Sequence, residues 1–192
     1  MTNDEVMDIF AKCGALKQGH FRYTSGLHGN RYMQCAQVLK YPEYTEILCK
    51  QLADQVRDQQ VELVVGPAMG GILVAYEVAR QLGVPGIFSE RENGEMKLRR
   101  GFTIEPGQRV LVVEDVVTTG GSVQEVINIV KANGGVPVGV AVLVNRSGGK
   151  AKLEVPIIAM LNLDLATYEP EHCPMCKEGL PVEKPGSRQV KA

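Results

Sequence analysis

VLVVEDVVTTGGS, residues 110–122, decides how the chain folds. An apolar run without polar alternation ends in two adjacent carboxylates, Glu114 and Asp115. Val116 and Val117 follow, and then Thr118, Thr119, Gly120, Gly121 and Ser122 make a turn that opens an amphipathic helix running to Ala132. A strand that is apolar on both faces is one covered on both faces, and a glycine-bearing turn from its carboxyl end into a helix is the βα junction of an open parallel sheet.

The same alternation continues outward in both directions. Upstream lie VELVV at 61–65, a helical stretch through 74–82 and VPGIF at 84–88; downstream lies VPVGVAVLV at 136–144. Short apolar runs separated by helical segments predict an α/β fold, a right-handed, doubly wound and mainly parallel sheet. Nearer the N-terminus, Val6, Ile9, Phe10 and Cys13 recur at helical spacing and predict a helix from Asn3 to about Lys17. Pro42 opens another, whose stripe is Ile47, Leu48, Leu52 and Val56. GHFRYTSGLHGNRYMQ at 19–34 has no sustained period and reads as a loop or a pair of short strands. ERENGEMKLRRGFTIEPG at 90–107 is polar, carries Arg91, Lys97, Arg99 and Arg100, and is long for a βα connection, which predicts a mobile functional loop. The stretch from Thr167 is rich in Pro and charge and predicts a surface extension with a frayed end.

Composition narrows the function. With 192 residues the chain is the size of one domain. Its 21 basic and 22 acidic residues leave a net charge of −1, so no general field draws in a nucleic-acid backbone or an anionic membrane, and any anion it binds must be met by a local site. No apolar run approaches the ~20 residues of a membrane helix. MTNDEVMDIF at the start is acidic where a signal peptide would be basic, and five cysteines, an odd number, suit a reducing compartment. The expectation is a cytoplasmic protein with no nucleic-acid or membrane partner.

The chemistry returns to residues 110–122. Ligands collect at the carboxyl ends of parallel strands, and a glycine-bearing turn at a helix N-terminus presents backbone N–H groups to a phosphate. Thr118, Thr119 and Ser122 add hydroxyls. Two acids beside a phosphate cradle repel the ligand unless something neutral or cationic lies between, and ribose hydroxyls and a divalent metal meet that condition. Glu114 and Asp115 thus point to a sugar phosphate. An isolated acidic pair would merely end a strand and an isolated Gly-Gly turn would merely cap a helix; their uninterrupted order after a buried strand favours the functional reading.

The segment resembles the phosphoribosyl pyrophosphate (PRPP) motif of the type I phosphoribosyltransferases. Within them, GHFRYTSGLHGNRYMQ, with Thr24, Ser25, Gly26 and Tyr32 in matching places, GPAMGG at 66–71, and LVNR ending at Arg146 resemble the orotate phosphoribosyltransferases. Thr24 and Gly70 stand where some members carry Lys, and Lys97, Arg99 and Arg100 replace a Lys/His loop pattern. The resemblance implies one domain over 1–192, with a core at about 42–146 and a small hood from about 1–41 and 147–192. It also implies transfer of the phosphoribosyl group of PRPP to orotate, giving orotidine 5′-monophosphate and pyrophosphate. Residues 114–122 and Arg91 would bind PRPP; Arg146, Thr118 and Tyr32 would bind orotate. Lys97, Arg99 and Arg100 would attend the departing pyrophosphate. Mg²⁺ would be held mainly through substrate with Asp115 as the protein ligand, and the enzyme would be a homodimer. A type I enzyme for a purine or uracil, or a non-catalytic PRPP-sensing regulator, would share the same cradle; the regulator would need a DNA-binding segment for which the chain has no spare length.

HCPMC, with His172, Cys173 and Cys176, offers two thiolates at a spacing suited to Zn²⁺. A closed structural site takes four ligands and no second CxxC exists, so the expectation is a reducible pair or a plain turn.

Overall fold

A computed structural model describes residues 1–23, 25–163 and 165–185. The six-stranded sheet is built around β6 (Arg109–Val117), the strand of the decisive segment, in which residues 110–113 are completely buried. Its order is β5 (Glu95–Leu98), β4 (Gly86–Glu92), β3 (Leu63–Pro67), β6, β7 (Val136–Asn145), β8 (Ile157–Asn162). All neighbours run parallel except the β4–β5 pair.

Apolar side chains leave both faces of this sheet, and each face has its own cover. On one, Leu111, Val113 and Leu143 pack with α1 (Asn3–Lys12), α3 (Pro42–Val56) and α4 (Gly70–Leu82); on the other, Val110, Val112 and Val142 pack with Val123, Val126, Ile127 and Val130 of α5 (Gly121–Ala132). Each fully buried Val or Leu contributes about 1.5–3 kcal/mol relative to exposure, so β6 anchors the fold and fixes where its carboxyl end lies. α1 ends earlier than its sequence period suggests because Gly14, in a left-handed conformation, follows the cap residue Cys13. Thr2 and Glu5 form a reciprocal capping box at its start.

Three regions differ from the sequence expectation. Residues 90–98 are not a loop: β4 runs through Glu92 and turns at Asn93 and Gly94 into β5, a hairpin held by the pairs Ser89 to Leu98 and Glu92 to Glu95. The core is wider than 42–146, since α1 packs into it and β8 extends the sheet with Val140 opposite Ile157 and Asn145 opposite Asn162. The stretch after Thr167 is also anchored rather than peripheral, because Cys173 and Met175 are buried.

The segment 19–34 forms two antiparallel strands, β1 (Leu16–Arg22) and β2 (His28–Met33), followed by the short α2 (Ala36–Leu39). The chain from 163 returns to this hairpin. Tyr168 and His28 exchange backbone hydrogen bonds of 2.8 and 2.9 Å, Arg22 N–H donates to Glu183 O at 2.8 Å, and Glu183 N–H donates to His20 O at 2.7 Å. The short α6 (Pro174–Lys177) lies within this returning segment. No helix among the described residues is long and apolar enough to cross a membrane.

Candidate active site

A cavity of about 560 Å³ opens at the carboxyl ends of β3, β6 and β7, within the range of small-molecule sites. Its floor is the turn 116–122 that joins β6 to α5. Gly120 caps α5 with φ +82°, a conformation that only glycine takes without cost, and no side chain caps this helix. The first N–H groups of a helix have no partner within it, so the end of α5 that faces the cavity carries amide donors and the positive end of a helix dipole. A Cβ on Gly120 would lie 3.3 Å from Ala151 and 3.4 Å from Leu153 Cδ2, tight contacts that add to the conformational cost of any other residue there.

The two carboxylates stand on one wall. Asp115 N–H donates to Glu114 Oε1 at 3.1 Å, and Val116 N–H donates to Asp115 Oδ1 at 2.9 Å. Burial pushes the Asp115 pKa above the usual carboxylate value, against the lowering effects of its contacts with Glu114 and Val116 N–H and of the Arg146 charge. A carboxyl held in this way gains most from a ligand that brings hydroxyl donors or positive charge. Cys35 lies beneath it, its thiol donating to Asp115 O at 3.6 Å; burial holds the Cys35 pKa far above its usual value and leaves it an inert packing group.

GPAMGG packs against this wall. A Cβ on Gly70 would lie 2.5 Å from the Asp115 carboxylate carbon, and one on Gly71 would meet Glu114 Oε1 at 3.3 Å and Pro67 Cδ at 2.8 Å. The glycines are there because the loop's backbone and the carboxylates occupy adjoining space. With hard oxygen donors on one side and this close backbone on the other, the wall suits a Mg²⁺ carried in by a phosphorylated ligand better than a cage built wholly of protein.

Beside the turn, just after β7, stands Arg146, its backbone N–H donating to Val117 O at 2.9 Å. Its guanidinium lies 5.6 Å from the Tyr23 ring centre and 5.8 Å from that of Tyr32. Nε and Nη1 are buried, and among the described residues neither has a hydrogen-bond partner. Buried guanidinium N–H groups left unsatisfied cost free energy, and a planar anion that offers paired oxygens removes that cost.

The model for the phosphoribosyl transferase domain matches residues 38–169. Over 190 residues the chain is 60% identical to the orotate phosphoribosyltransferase of Desulforamulus reducens, covering 99% of this chain and all of that one. The corresponding enzyme of Pelotomaculum thermopropionicum is 58% identical over the same share of each. The chain belongs to the orotate phosphoribosyltransferase family. The solved orotate phosphoribosyltransferase from Aeropyrum pernix superposes with a TM-score of 0.69 at 25% identity, covering 82% of this chain and 93% of that one. An adenine phosphoribosyltransferase from Trypanosoma brucei superposes at 0.62 with 18% identity, covering 80% and 79%. The fold is therefore shared across bases, and the full-length sequence relatives narrow the family to orotate.

Among the residues expected from sequence, Glu114, Asp115, Val116, Val117, Thr118, Thr119, Gly120, Gly121, Ser122, Arg91, Tyr32 and Arg146 all line the one cavity. Arg91 is held there by an ion pair with Glu125 of α5 and a 2.7 Å hydrogen bond to Gly94 O. Thr24, part of the family resemblance, lies outside the described residues. Lys97, Arg99 and Arg100 do not reach the cavity. Each is paired on its own hairpin: Lys97 with Glu92 and Glu95, Arg99 with Glu90 at 3.7 Å and Glu92 at 3.3 Å, Arg100 with Glu90 at 3.0 Å. The reason is the β4–β5 pairing, which sets Glu90 and Glu92 beside these cations.

Sequence reasoning missed Tyr23, Cys35 and the direct contact of Gly70 with Asp115. Tyr23 had a signal, being aromatic and within the same short segment as Tyr32. Cys35 and Gly70 had none, because their partners are 80 and 45 residues away along the chain.

Proposed function

We propose that the enzyme transfers the 5-phosphoribosyl group from PRPP to N1 of orotate, releasing pyrophosphate and giving orotidine 5′-monophosphate for pyrimidine nucleotide synthesis in the cytoplasm. The observation that carries the base assignment is the buried, unsatisfied edge of Arg146 between Tyr23 and Tyr32. A neutral purine offers that edge no anion; the carboxylate and ring carbonyl of orotate offer two acceptors in one plane. The sequence relatives support the same substrate.

The 5′-phosphate rests on the amides and hydroxyls of 118–122, and Glu114 and Asp115 accept from the ribose hydroxyls. Thr118 is within the same turn and hydrogen-bonds the base. Held in this way, the anomeric carbon faces N1 of orotate: the C1′–N1 bond forms as the C1′–O bond to pyrophosphate breaks, and the N1 proton leaves to the departing pyrophosphate or solvent, so alignment carries the larger share of the work. Mg²⁺, held mainly by PRPP and on the protein side by Asp115, supplies positive charge to the leaving pyrophosphate. Arg91, fixed by Glu125, stands on the cavity wall as a second PRPP contact.

Lys97, Arg99 and Arg100 lie outside their own protomer's cavity, at the end of the β4–β5 hairpin away from its Asn93–Gly94 turn, and the role left to them is action on the pyrophosphate in the site of a second protomer of a homodimer. The test of the whole reading is turnover of a base panel with PRPP and Mg²⁺. Loss of orotate absorbance coupled to pyrophosphate release, with adenine, hypoxanthine and uracil inactive, is expected; equal turnover of any of these bases would refute the assignment.

A further inference from the structure

The hairpin β1–β2 and the segment that returns to it meet at four side chains distant in sequence: His20, His28, Cys173 and Cys176. Their ligand atoms all lie within 4.8 Å of one another. His20, His28 and Cys173 are buried and Cys176 is at the surface, so the cluster is closed on three sides and open on one. The two histidines that a second CxxC would have replaced come from the other end of the chain.

The spacing is that of a tetrahedral ion. Zn–S bonds of about 2.3 Å and Zn–N bonds of about 2.0–2.1 Å make a tetrahedron whose sulfur–nitrogen edges are about 3.6 Å and whose nitrogen–nitrogen edge is about 3.4 Å. Cys173 Sγ lies 3.5 Å from His20 Nε2, and Cys176 Sγ lies 3.7 Å from His20 Nε2 and 3.3 Å from His28 Nδ1. His20 Nε2 and His28 Nδ1 are 2.8 Å apart, so that edge must open by about 0.6 Å and the Cys176–His28 edge by about 0.3 Å, while the widest separation, up to 4.8 Å, must close.

The orientation of His20 is also that of a ligand. Its Nδ1 lies 2.8 Å from Leu180 O, and a carbonyl only accepts, so Nδ1 carries the proton. In the neutral ring this leaves the lone pair on Nε2, the atom that faces both sulfurs. A metal-bound histidine typically has its remote N–H fixed by a carbonyl or carboxylate in this way.

We propose that His20, His28, Cys173 and Cys176 form a structural Zn²⁺ site that ties the C-terminal segment to the β1–β2 hairpin. Binding displaces the two thiol protons to solvent and forms two Zn–S and two Zn–N bonds, with no change of oxidation state. A Cys₂His₂ set closes the tetrahedron, so the ion keeps no open position and takes no part in transfer chemistry. It fixes the hood of the active site: Tyr23, beside Arg146, lies in the chain between the two histidine ligands, and Pro185 follows the anchored segment into the cavity wall.

The test uses the full-length protein, produced without an affinity tag and dialysed against a weak chelator. Elemental analysis is expected to give about one zinc per chain, and Cys176→Ser, a change at the surface, to lose it while retaining the far-UV spectrum of the parent. Apo protein titrated with Co²⁺ is expected to develop the visible bands of a tetrahedral site with a thiolate charge-transfer band, which Zn²⁺ then abolishes. The melting temperature should fall on stripping with a strong chelator and return with Zn²⁺ but not Mg²⁺. Protein that holds no zinc and gives Co²⁺ no thiolate band overturns the proposal, as does a Cys173–Cys176 disulfide in the freshly isolated protein. None of these readouts is turnover, so their failure leaves the transferase reading untouched, and failure of the base panel leaves the zinc site untouched.

Discussion

Replacing Arg146 with Ala removes the one group among the described residues whose buried N–H donors await a partner, and its cost can be worked from the site. Nε and Nη1 are unpaired among the described residues and the guanidinium lies between two aromatic rings, so the orotate carboxylate would meet it in a largely desolvated place. Truncating one member of a buried, hydrogen-bonded charge pair costs about 2–5 kcal/mol, or about 30-fold to several thousand-fold in kcat/KM for orotate. The KM for PRPP should stay within about threefold, since the amides of the turn and the two carboxylates, not the Arg146 side chain, hold the phosphate and the ribose. Arg146→Lys keeps the charge but not the planar fork, and should fall between the two. Folding should be little affected, because the loss of the guanidinium's contacts with Tyr23 and Tyr32 is offset by removal of two unsatisfied buried donors. The assay is initial-rate turnover with each substrate varied in turn, alongside thermal melting. An orotate kcat/KM within threefold of the parent in the Ala variant would refute the base-recognition argument.

Three further outcomes follow from the same geometry. Asp115→Asn should weaken PRPP binding by about 10- to 150-fold, the loss of one or two charge-assisted hydrogen bonds, yet raise the melting temperature. The sign follows from the raised pKa: the folded carboxyl keeps its proton to higher pH than the unfolded one, so its ionisation opposes folding at neutral pH. The variant's thermal advantage should therefore shrink as pH falls towards the ordinary carboxylate value of about 3.9, and an advantage independent of pH would contradict this. Gly70→Ala places a Cβ 2.5 Å from the Asp115 carboxylate carbon, and overpacking of about 1–3 kcal/mol should appear as a roughly 5- to 150-fold rise in the KM for PRPP, measured at saturating orotate. Mixing Arg99→Ala with Asp115→Asn at sub-saturating PRPP should give more turnover than the sum of the two variants alone if hairpin cations serve the neighbouring site; a mixture no more active than that sum removes the role.

The sheet was legible because β3, β6 and β7 are buried on both faces and so carry unbroken apolar runs, and because Gly120 and Pro42 mark helix starts by their own backbone chemistry. Residues 114–122 were legible as a site for a related reason: strand, acids, turn and helix are contiguous, so sequence order is spatial order. Legibility ended where partners are remote. Residues 90–98 are as polar as a loop because an edge hairpin faces solvent and pairs its charges crosswise, Arg99 with Glu92 and Arg100 with Glu90, and ion pairs of this kind leave no apolar period. β8 was obscured by the polar 147–156 stretch that precedes it, where no helical period marks a crossover from β7. The CxxC at 173–176 read as a plain turn since its companions, His20 and His28, lie about 150 residues earlier, and only the return of the C-terminal segment onto the hairpin brings them together.

The central claim is that the β6–α5 turn holds the phosphate of an activated ribose while Glu114 and Asp115 hold its hydroxyls. A crystal structure with PRPP and Mg²⁺ tests it most directly. The account predicts the 5′-phosphate within hydrogen-bond distance of backbone N–H groups in 118–122, the ribose hydroxyls on the two carboxylates, and the anomeric carbon facing Arg146. A phosphate bound away from that turn, or a ribose that touches neither carboxylate, would contradict it.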